Sequence, residues 1–265
     1  MPDAAALRPI ERRDHATLDA VLAGMDPEEA QDAGEALAAD PGETVFSAAA
    51  DAATDEAFGF VALAPAEGTE SSAWVAWSCF LPGTPAERVA AALQAQVEEA
   101  GLAGVTRLFA AEGDTPGAPG GGPARERLRA FELAGFREAA RVPGFYEPDE
   151  DAVFLEAVLA QENAMPRPAD ARGVALEGVH EHEETDGAWV LGWSPVQGPG
   201  SAPAELDKAA AKARKRGARL LVAAGPSDLP ALDALLLDAG FRRTGRLSDY
   251  HAPGVHEVHY LLPLT

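Results

Sequence analysis

Lysine is nearly missing from this sequence: Lys208, Lys212 and Lys215 are the only three in 265 residues. Cysteine is scarcer still, and Cys79 alone cannot form an intramolecular disulfide, which fits a reducing cytoplasm. No apolar run approaches the roughly 20 residues needed to span a bilayer. The N-terminus lacks the charged-then-apolar order of a secretory signal. The expectation is therefore a cytoplasmic protein without a membrane partner. P-loops, Rossmann glycine strings and Ser-His-Asp spacings are also wanting, which removes the commonest nucleotide-hydrolysing, dinucleotide-binding and serine-nucleophile classes.

Acid is present in excess. Forty-three Asp and Glu against 21 Lys and Arg give a formal charge of −22. Such a surface repels a polyphosphate backbone, so nucleic acid is not an expected partner. It also repels itself, a cost that molar salt largely removes by shortening the Debye length to about 3 Å. The composition suggests a halophilic source; a GC-rich genome, which favours Ala, Gly, Arg and Asp codons, is the alternative. An apolar fraction of 47% supplies real cores, and the length suits two domains.

An internal repeat organises the chain. Ala134-Gly135-Phe136-Arg137 recurs as Ala239-Gly240-Phe241-Arg242, an offset of 105. At that offset Arg141 answers Arg246, Phe145 answers Tyr250, Pro148 answers Pro253 and Val153 answers Val258. Upstream, Ala73-Trp74-Val75 echoes Ala188-Trp189-Val190, and Trp77-Ser78 echoes Trp193-Ser194.

Each copy reads alike in secondary structure. A Trp-rich strand (Trp74 to Leu81; Trp189 to Val196) leads through a Gly/Pro turn into a helix (Ala86 to Ala100; Ala204 to Arg216). A buried strand follows (Thr106 to Ala111; Arg219 to Ala224), then a second helix stopped by Gly135 or Gly240 as a C-terminal glycine. Two strands close each copy: Arg137 to Pro143 with Ala152 to Val158, and Arg242 to Leu247 with Glu257 to Leu262. The Pro- and Gly-bearing stretches between them read as turns. Only the first copy has an opening strand (Leu7 to Ile10), two helices (Arg13 to Gly24, Glu28 to Ala39) and a hairpin (Thr44 to Ala50, Ala57 to Ala64). The second keeps Gly173 to His182 in front of its Trp strand. The expected division is 1–160, a linker at 161–172, and a shortened half-domain at 173–265. A Gly/Pro-rich loop spans Thr115 to Pro123.

This order, together with Arg129-Ala130-Phe131-Glu132-Leu133-Ala134-Gly135-Phe136-Arg137 and the closing Val142-Pro143-Gly144-Phe145-Tyr146-Glu147-Pro148, resembles the GNAT N-acetyltransferases. The resemblance implies a mixed α/β sheet of the acyl-CoA N-acyltransferase kind, complete in the first copy and shortened in the second. It also implies acetyl-CoA as co-substrate and a small amine as acceptor. Family members hold the coenzyme pyrophosphate on a Gln/Arg-x-x-Gly-x-Gly/Ala loop, where backbone amides and a helix N-terminus meet the anion. The first copy offers Leu81-Pro82-Gly83-Thr84-Pro85-Ala86-Glu87, with two prolines that donate no amide and an acid that repels phosphate. The second offers Gln197-Gly198-Pro199-Gly200-Ser201-Ala202, in frame, so the resemblance implies cofactor contacts from Val196, Gln197, Gly198, Gly200, Ser201 and Ala202. The lysine-bearing helix behind that loop is a further place where phosphate could be met. An ordinary loop and a dipole-complementing helix end are the plainer readings.

Many family members carry a tyrosine four residues before the Gly of the Gly-Phe pair, to protonate the leaving thiolate. Phe131 and Leu236 occupy those positions and cannot. Glu112, just past a buried strand, and Tyr146, on the closing hairpin, are the candidates for acid–base work. His180 and His182 alternate on a strand, but such a run more often lies on a solvated edge, and no metal site is assigned. His256 and His259 face opposite ways. Cys79 reads as a buried, inert thiol. The expected function is acetyl transfer to a small amine. The alternative is a non-catalytic protein acting as a coenzyme-sensing, partner-binding or structural module. A homodimer stays open in either case.

Overall fold

The computed structural model describes residues 5–25, 27–38, 44–66, 69, 71–116, 122–160, 173–183 and 185–264. The expected linker at 161–172 and the centre of the Thr115 to Pro123 loop lie outside the described residues. The chain forms two compact units, one drawn from 1–111, 123–137 and 155–161, the other from 112–122, 138–154 and 162–265.

The first unit is a mixed sheet with helices. Strand β1 (Ala5–Pro9) leads through a 3-10 turn (Arg12–Asp14) into helices α1 (His15–Leu22) and α2 (Pro27–Ala38). Strands β2 (Val45–Asp51), β3 (Ala57–Pro65) and β4 (Ser72–Phe80) then form an antiparallel meander. Helix α3 (Ala86–Leu102) crosses to β5 (Arg107–Asp114), which lies parallel to β4, and α4 (Gly122–Leu133) follows. Alternation along the strands buries both faces. Phe60 and Cys79 pack with Leu18, Val21 and Ala33 of α1 and α2, whereas Ala49 and Phe58 pack with Ala92 of α3. Phe58 and Phe60, two apart in sequence, reach opposite faces because a bulge between Ala49 and Ala50 interrupts the β2–β3 register. Asp14 is buried and held by Arg8 (2.7 Å), which lowers its carboxyl to about 2.

After 112–122, the second unit takes in most of the hairpin β6 (Arg137–Glu147) and β7 (Glu150–Val158), of which 138–154 belong to it. Strands β8 (Gly173–Glu181) and β9 (Ala188–Val196) pair antiparallel. Helix α5 (Pro203–Lys215), strand β10 (Leu220–Pro226) and helix α6 (Pro230–Asp238) follow, before the hairpin β11 (Arg242–Ala252) and β12 (Val255–Pro263). Its strand order is β7-β6-β11-β12-β10-β9-β8. Helices α5 and α6 cover one face through Leu206, Ala210, Leu232 and Leu236, packed on Trp189, Leu191, Leu221 and Ala223. The other face, Ala188, Leu220, Val222 and Leu261, is covered by Val142, Phe145, Tyr146 and Phe154 of the β6–β7 hairpin. The hairpin tip is tied down by Arg219, which donates to the Gly144 carbonyl (2.9 Å), and by the Asp186 amide, which donates to the Tyr146 carbonyl (2.6 Å).

Residues 105 apart recur in matching geometry. Gly135 and Gly240 end α4 and α6 at φ +94° and +89°, and the amides of Phe136 and Phe241 each donate to a carbonyl five residues back at 3.0 Å. The closing hairpins are longer than expected, with β6 running past Pro143 to Glu147 and β11 past Leu247 to Ala252. Gly144 (φ +63°) and Asp249 (φ +53°) are not turn residues but bulges within the strands. Each donates its amide at 2.9 Å to a side chain seven residues on, Asp151 Oδ1 and His256 Nδ1 respectively. Each strand continues beyond its bulge, to Glu147 and to Ala252, and tight turns form at 148–149 and 253–254. Phe145–Tyr146 and Tyr250–His251 make the same edge-on ring contact, at 5.1 and 5.0 Å. The hairpins also meet through counterpart residues. Ala140 pairs with Gly245, and the Phe154 ring lies 4.4 Å from the His259 ring.

Candidate functional site

In both units a parallel pair opens after three residues. Ser72, Ala73 and Trp74 pair with Arg107, Leu108 and Phe109, after which β4 runs on to Phe80. Ala188, Trp189 and Val190 pair with Leu220, Leu221 and Val222, after which β9 runs on to Val196. The parted strands turn backbone amides and carbonyls toward the opening, and such groups seek partners. An extended ligand with amides of its own suits that gap as an added strand would. In each unit the strand then passes through a short loop into the N-terminus of a helix.

The two loops differ in what they offer. In the first unit Pro85 occupies the N-cap of α3, Gly83 turns at φ +81°, and Thr84 Oγ1 donates back to the Leu81 carbonyl (2.7 Å). Glu87 in the first turn is paired with Arg129 (3.0 Å). In the second unit Gln197, Gly198, Gly200 and Ala202 are exposed, with Val196 and Ser201 half-buried. Ser201 stitches the loop to β8: its amide donates to the Val174 carbonyl (2.6 Å) and its Oγ accepts from the Leu176 amide (3.1 Å). Gly200 is needed for that approach, because a Cβ there would lie 2.4 Å from both Val174 N and Val174 O. Gly198 faces open space, with nothing within 4 Å of a Cβ.

Trp193, which the sequence marks only as part of a repeated Trp-rich strand, takes a particular place in the structure. Its Nε1 donates to the Ala224 carbonyl across the β9/β10 opening (2.8 Å), and a Cβ on Gly225 would meet its ring at 2.7 Å. The signal was a glycine inside a buried strand, which commonly marks a close neighbour. Trp193 packs with the α5/α6 core, so it closes the opening from the helix side. Gly192 and Ser194 alternate with it and line the opposite side.

Glu112 and Tyr146 lie on different strands, β5 and β6, and neither belongs to the 196–202 loop. Glu112 is half-buried beside Gly113, where an added Cβ would collide with the Glu150 carboxylate. Tyr146 is half-buried edge-on to Phe145. Phe131 and Leu236, which stand where a thiolate-protonating tyrosine would be, are both fully buried.

A second group of titratable side chains sits on the face that α5 and α6 leave open. Glu257 and His259 lie two apart on β12, paired with Pro226 and Ala224, and so share a face. His251 Nε2 lies 3.5 Å from one oxygen of Glu257 and His259 Nε2 lies 3.4 Å from the other. Both ring nitrogens are buried without a hydrogen-bond partner. Burial lowers the His251 pKa from its ordinary value, against the opposing pull of Glu257 and Asp228. His251 is therefore held neutral in the folded chain and takes up a proton more readily on unfolding. Its contribution to stability is present above the ordinary histidine pKa and is lost as pH falls through the depressed folded value. Denaturant melts at pH 7.5 and pH 5 should show wild type losing more stability on acidification than His251→Gln; parallel losses would refute the assignment.

Three of the four remaining histidines do other things. His256 Nδ1 accepts from the Asp249 amide, His182 packs against Phe145 (5.1 Å), and His180 is exposed on β8. Among the described residues no group of three or more His, Cys, Asp or Glu could hold a metal ion, and no helix is long and apolar enough to cross a membrane.

No family model matches the sequence, and no curated protein matches it either. Solved structures do. One, described as an acetyltransferase of the GNAT family from Desulfovibrio desulfuricans, is 25% identical, with 59% of this chain and 100% of that chain covered at a TM-score of 0.47. The aminoglycoside 6'-N-acetyltransferase from Enterococcus faecium is 14% identical, with 60% and 99% covered at a TM-score of 0.47. The ribosomal-protein-S18-alanine N-acetyltransferase from Escherichia coli is 13% identical, with 60% and 96% covered at a TM-score of 0.45. At these TM-scores the likeness decides nothing about the activity of this chain.

Proposed function

We propose that this chain is a GNAT-like N-acetyltransferase that moves an acetyl group from acetyl-CoA to a small amine. The observation that carries the reading is the parallel strand pair that parts after three residues and runs through a loop into a helix N-terminus, present at β4/β5 and again at β9/β10. Val196, Gln197, Gly198, Gly200, Ser201 and Ala202 would hold the coenzyme phosphates. The exposed Gly198, free of neighbours, supports this, since an anion could come close to the backbone there. Acetyl-CoA would supply the activated thioester. The chain would orient its extended arm along β9 on the Gly192 and Ser194 side, and the attacking amine would lose its proton to water as the C–S bond breaks. Phe131 and Leu236 offer no proton to the departing thiolate, so it leaves as the anion or takes a proton from water. Without a general acid the step forgoes about 100-fold or more.

The ancestry we propose is a complete unit at 1–160 followed, after 161–172, by a shortened copy at 173–265. The matching helix caps, bulges and ring pairs at an offset of 105 support it. A second reading, a non-catalytic coenzyme-sensing, partner-binding or structural module, draws on the Trp193 indole. Its bond to Ala224 already fills the helix side of the β9/β10 opening.

Calorimetric titration with acetyl-CoA separates the readings. Wild type is expected to bind saturably and Gly198→Glu to lose at least about tenfold in affinity, equivalent to about 1.4 kcal/mol. Gly198 is preferred over Gly200 because a side chain at 200 would collide with β8 whatever the ligand. Equal binding by both proteins would move the coenzyme away from this loop, no binding by either would leave only a partner-binding or structural module, and binding without acetyl transfer to any amine would leave a coenzyme sensor.

A further inference from the structure

We propose that the solvent face of α5 is an anion site of its own, taking a small molecule that carries two or more phosphate charges. Lys208, Lys212, Lys215 and Arg216, with the exposed Ala211 among them, line a shallow, open groove of about 470 Å³. These include every lysine in the chain. The lysines stand four, three and seven apart, so one helix face collects them all.

Three observations argue for a ligand rather than for helix stability. The described arginines on the rest of the chain are largely matched, as in Arg8–Asp14, Arg88–Asp51, Arg137–Glu156 and Arg243–Asp233. Among the described residues no carboxylate lies within ion-pair distance of Lys208, Lys212 or Lys215, in a protein with 43 acidic side chains. Second, like charges at i,i+4 oppose helix formation, and the helix dipole rewards cations only in the last turn. That accounts for Lys212 and Lys215, but Lys208 lies outside the last turn. Third, Arg216 is pre-positioned, its guanidinium stacked 5.0 Å over the ring of the buried Trp189. A fixed planar donor beside three flexible ammonium groups suits phosphate oxygens.

The surrounding charge selects the size of the ligand. A nucleic acid or an anionic membrane would spread its own charge over the acidic remainder of the surface. A small anion needs only the local potential, which reaches about 10 Å at 0.1 M salt. Lys208, the lysine nearest the 196–202 loop, stands six residues from the N-cap Ala202, roughly 9 Å along the helix axis, and Lys215 thirteen, roughly 20 Å. The groove thus runs from the first half of α5 to its C-terminal end, and the inference does not rest on the acetyl-CoA reading.

Calorimetry with inorganic pyrophosphate in 0.1 M KCl tests it, with coenzyme A and adenosine 3',5'-bisphosphate as further arms. Gly198→Glu is expected to keep pyrophosphate binding at the groove, and Lys208→Glu/Lys212→Glu made in that background to lose at least about tenfold in affinity, while any binding that wild type loses with Gly198→Glu belongs to the 196–202 loop. All these positions are exposed, so unchanged melting of the variants guards against misfolding. Competition by the bisphosphate alone would point to free nucleotides, and competition by coenzyme A as well would point to its phosphorylated end. Undiminished binding by the double lysine variant would overturn the proposal. So would binding of coenzyme A only, abolished by Gly198→Glu, because the groove would then have no ligand of its own. The acetyl-CoA reading would survive that second result.

Discussion

Residues 173–265, produced without the rest of the chain, are expected not to fold into a stable monomer. The face of their sheet opposite α5 and α6 is built from Ala188, Leu220, Val222 and Leu261, and Val142, Phe145, Tyr146 and Phe154 of the β6–β7 hairpin cover it. Removing a buried phenylalanine side chain costs about 3–5 kcal/mol. Two phenylalanines and a tyrosine leave together, against a total stability of about 5–15 kcal/mol for an ordinary domain. The cut also removes the Gly144 and Tyr146 carbonyls that receive Arg219 and the Asp186 amide. Circular dichroism melting with sedimentation would report an unfolded or self-associated fragment. A cooperative melt from a monomer would show that the hairpin is dispensable. A longer fragment starting at 138 restores those contacts and should recover a cooperative transition.

The dependence could be foreseen only in part. That the second unit is shortened followed from its missing front strands and helices. The covering element did not, because its sequence also reads as the closing hairpin of the first unit, and nothing local to 138–154 shows which sheet it joins. Hydrophobic period located the strands well, and the glycines after α4 and α6 marked their ends, since φ near +90° excludes most other residues. The bulges were hidden for the opposite reason. Pro143-Gly144 and Pro253-Gly254 both carry turn chemistry, yet only the second pair turns. Gly144 is a bulge fixed by Asp151, a partner that comes into view only once the strands are paired.

The candidate site was less legible than the fold. Loop 197–202 could be picked out by its glycines, but a glycine states only that something comes close, not what. At Gly200 the close neighbour is the backbone of Val174, while at Gly198 the space is free. His251, Glu257 and His259 come together across a bulged hairpin whose register shifts between Leu247 and Ala252, which spacing alone could not supply. Trp193 read as one of a repeated pair with Trp77. Yet Trp193 packs with the α5/α6 core and Trp77 with the α1/α2 core, two surroundings for one motif. The lysines lay in plain view, because a helical period acting on three residues of one type fixes a face without tertiary information.

Gly245→Val is expected to be among the most damaging single substitutions in the second unit. Gly245 is where β11 meets β6, and a Cβ there would lie 2.3 Å from Ala140 Cα, 2.5 Å from Ala140 Cβ and 2.6 Å from the Ala139 carbonyl oxygen. Its φ of +152° is also one that side chains rarely adopt. Overpacking costs about 1–3 kcal/mol and a strained φ about as much again. The sum, about 2–6 kcal/mol, corresponds to a fall in Tm on the order of 10 °C for a unit of this size. Gly135→Ala separates the two causes, since Gly135 has φ +94° but nothing within 4 Å of a Cβ. It should lose only the conformational part, about 1 kcal/mol. Adding Ala140→Gly to Gly245→Val should recover part of the loss by removing one of the clashing carbons. Equal melting temperatures for Gly245→Val and Gly135→Ala would mean that β6 and β11 are free to separate, and the close meeting of the two hairpins would then not be what holds the second sheet together.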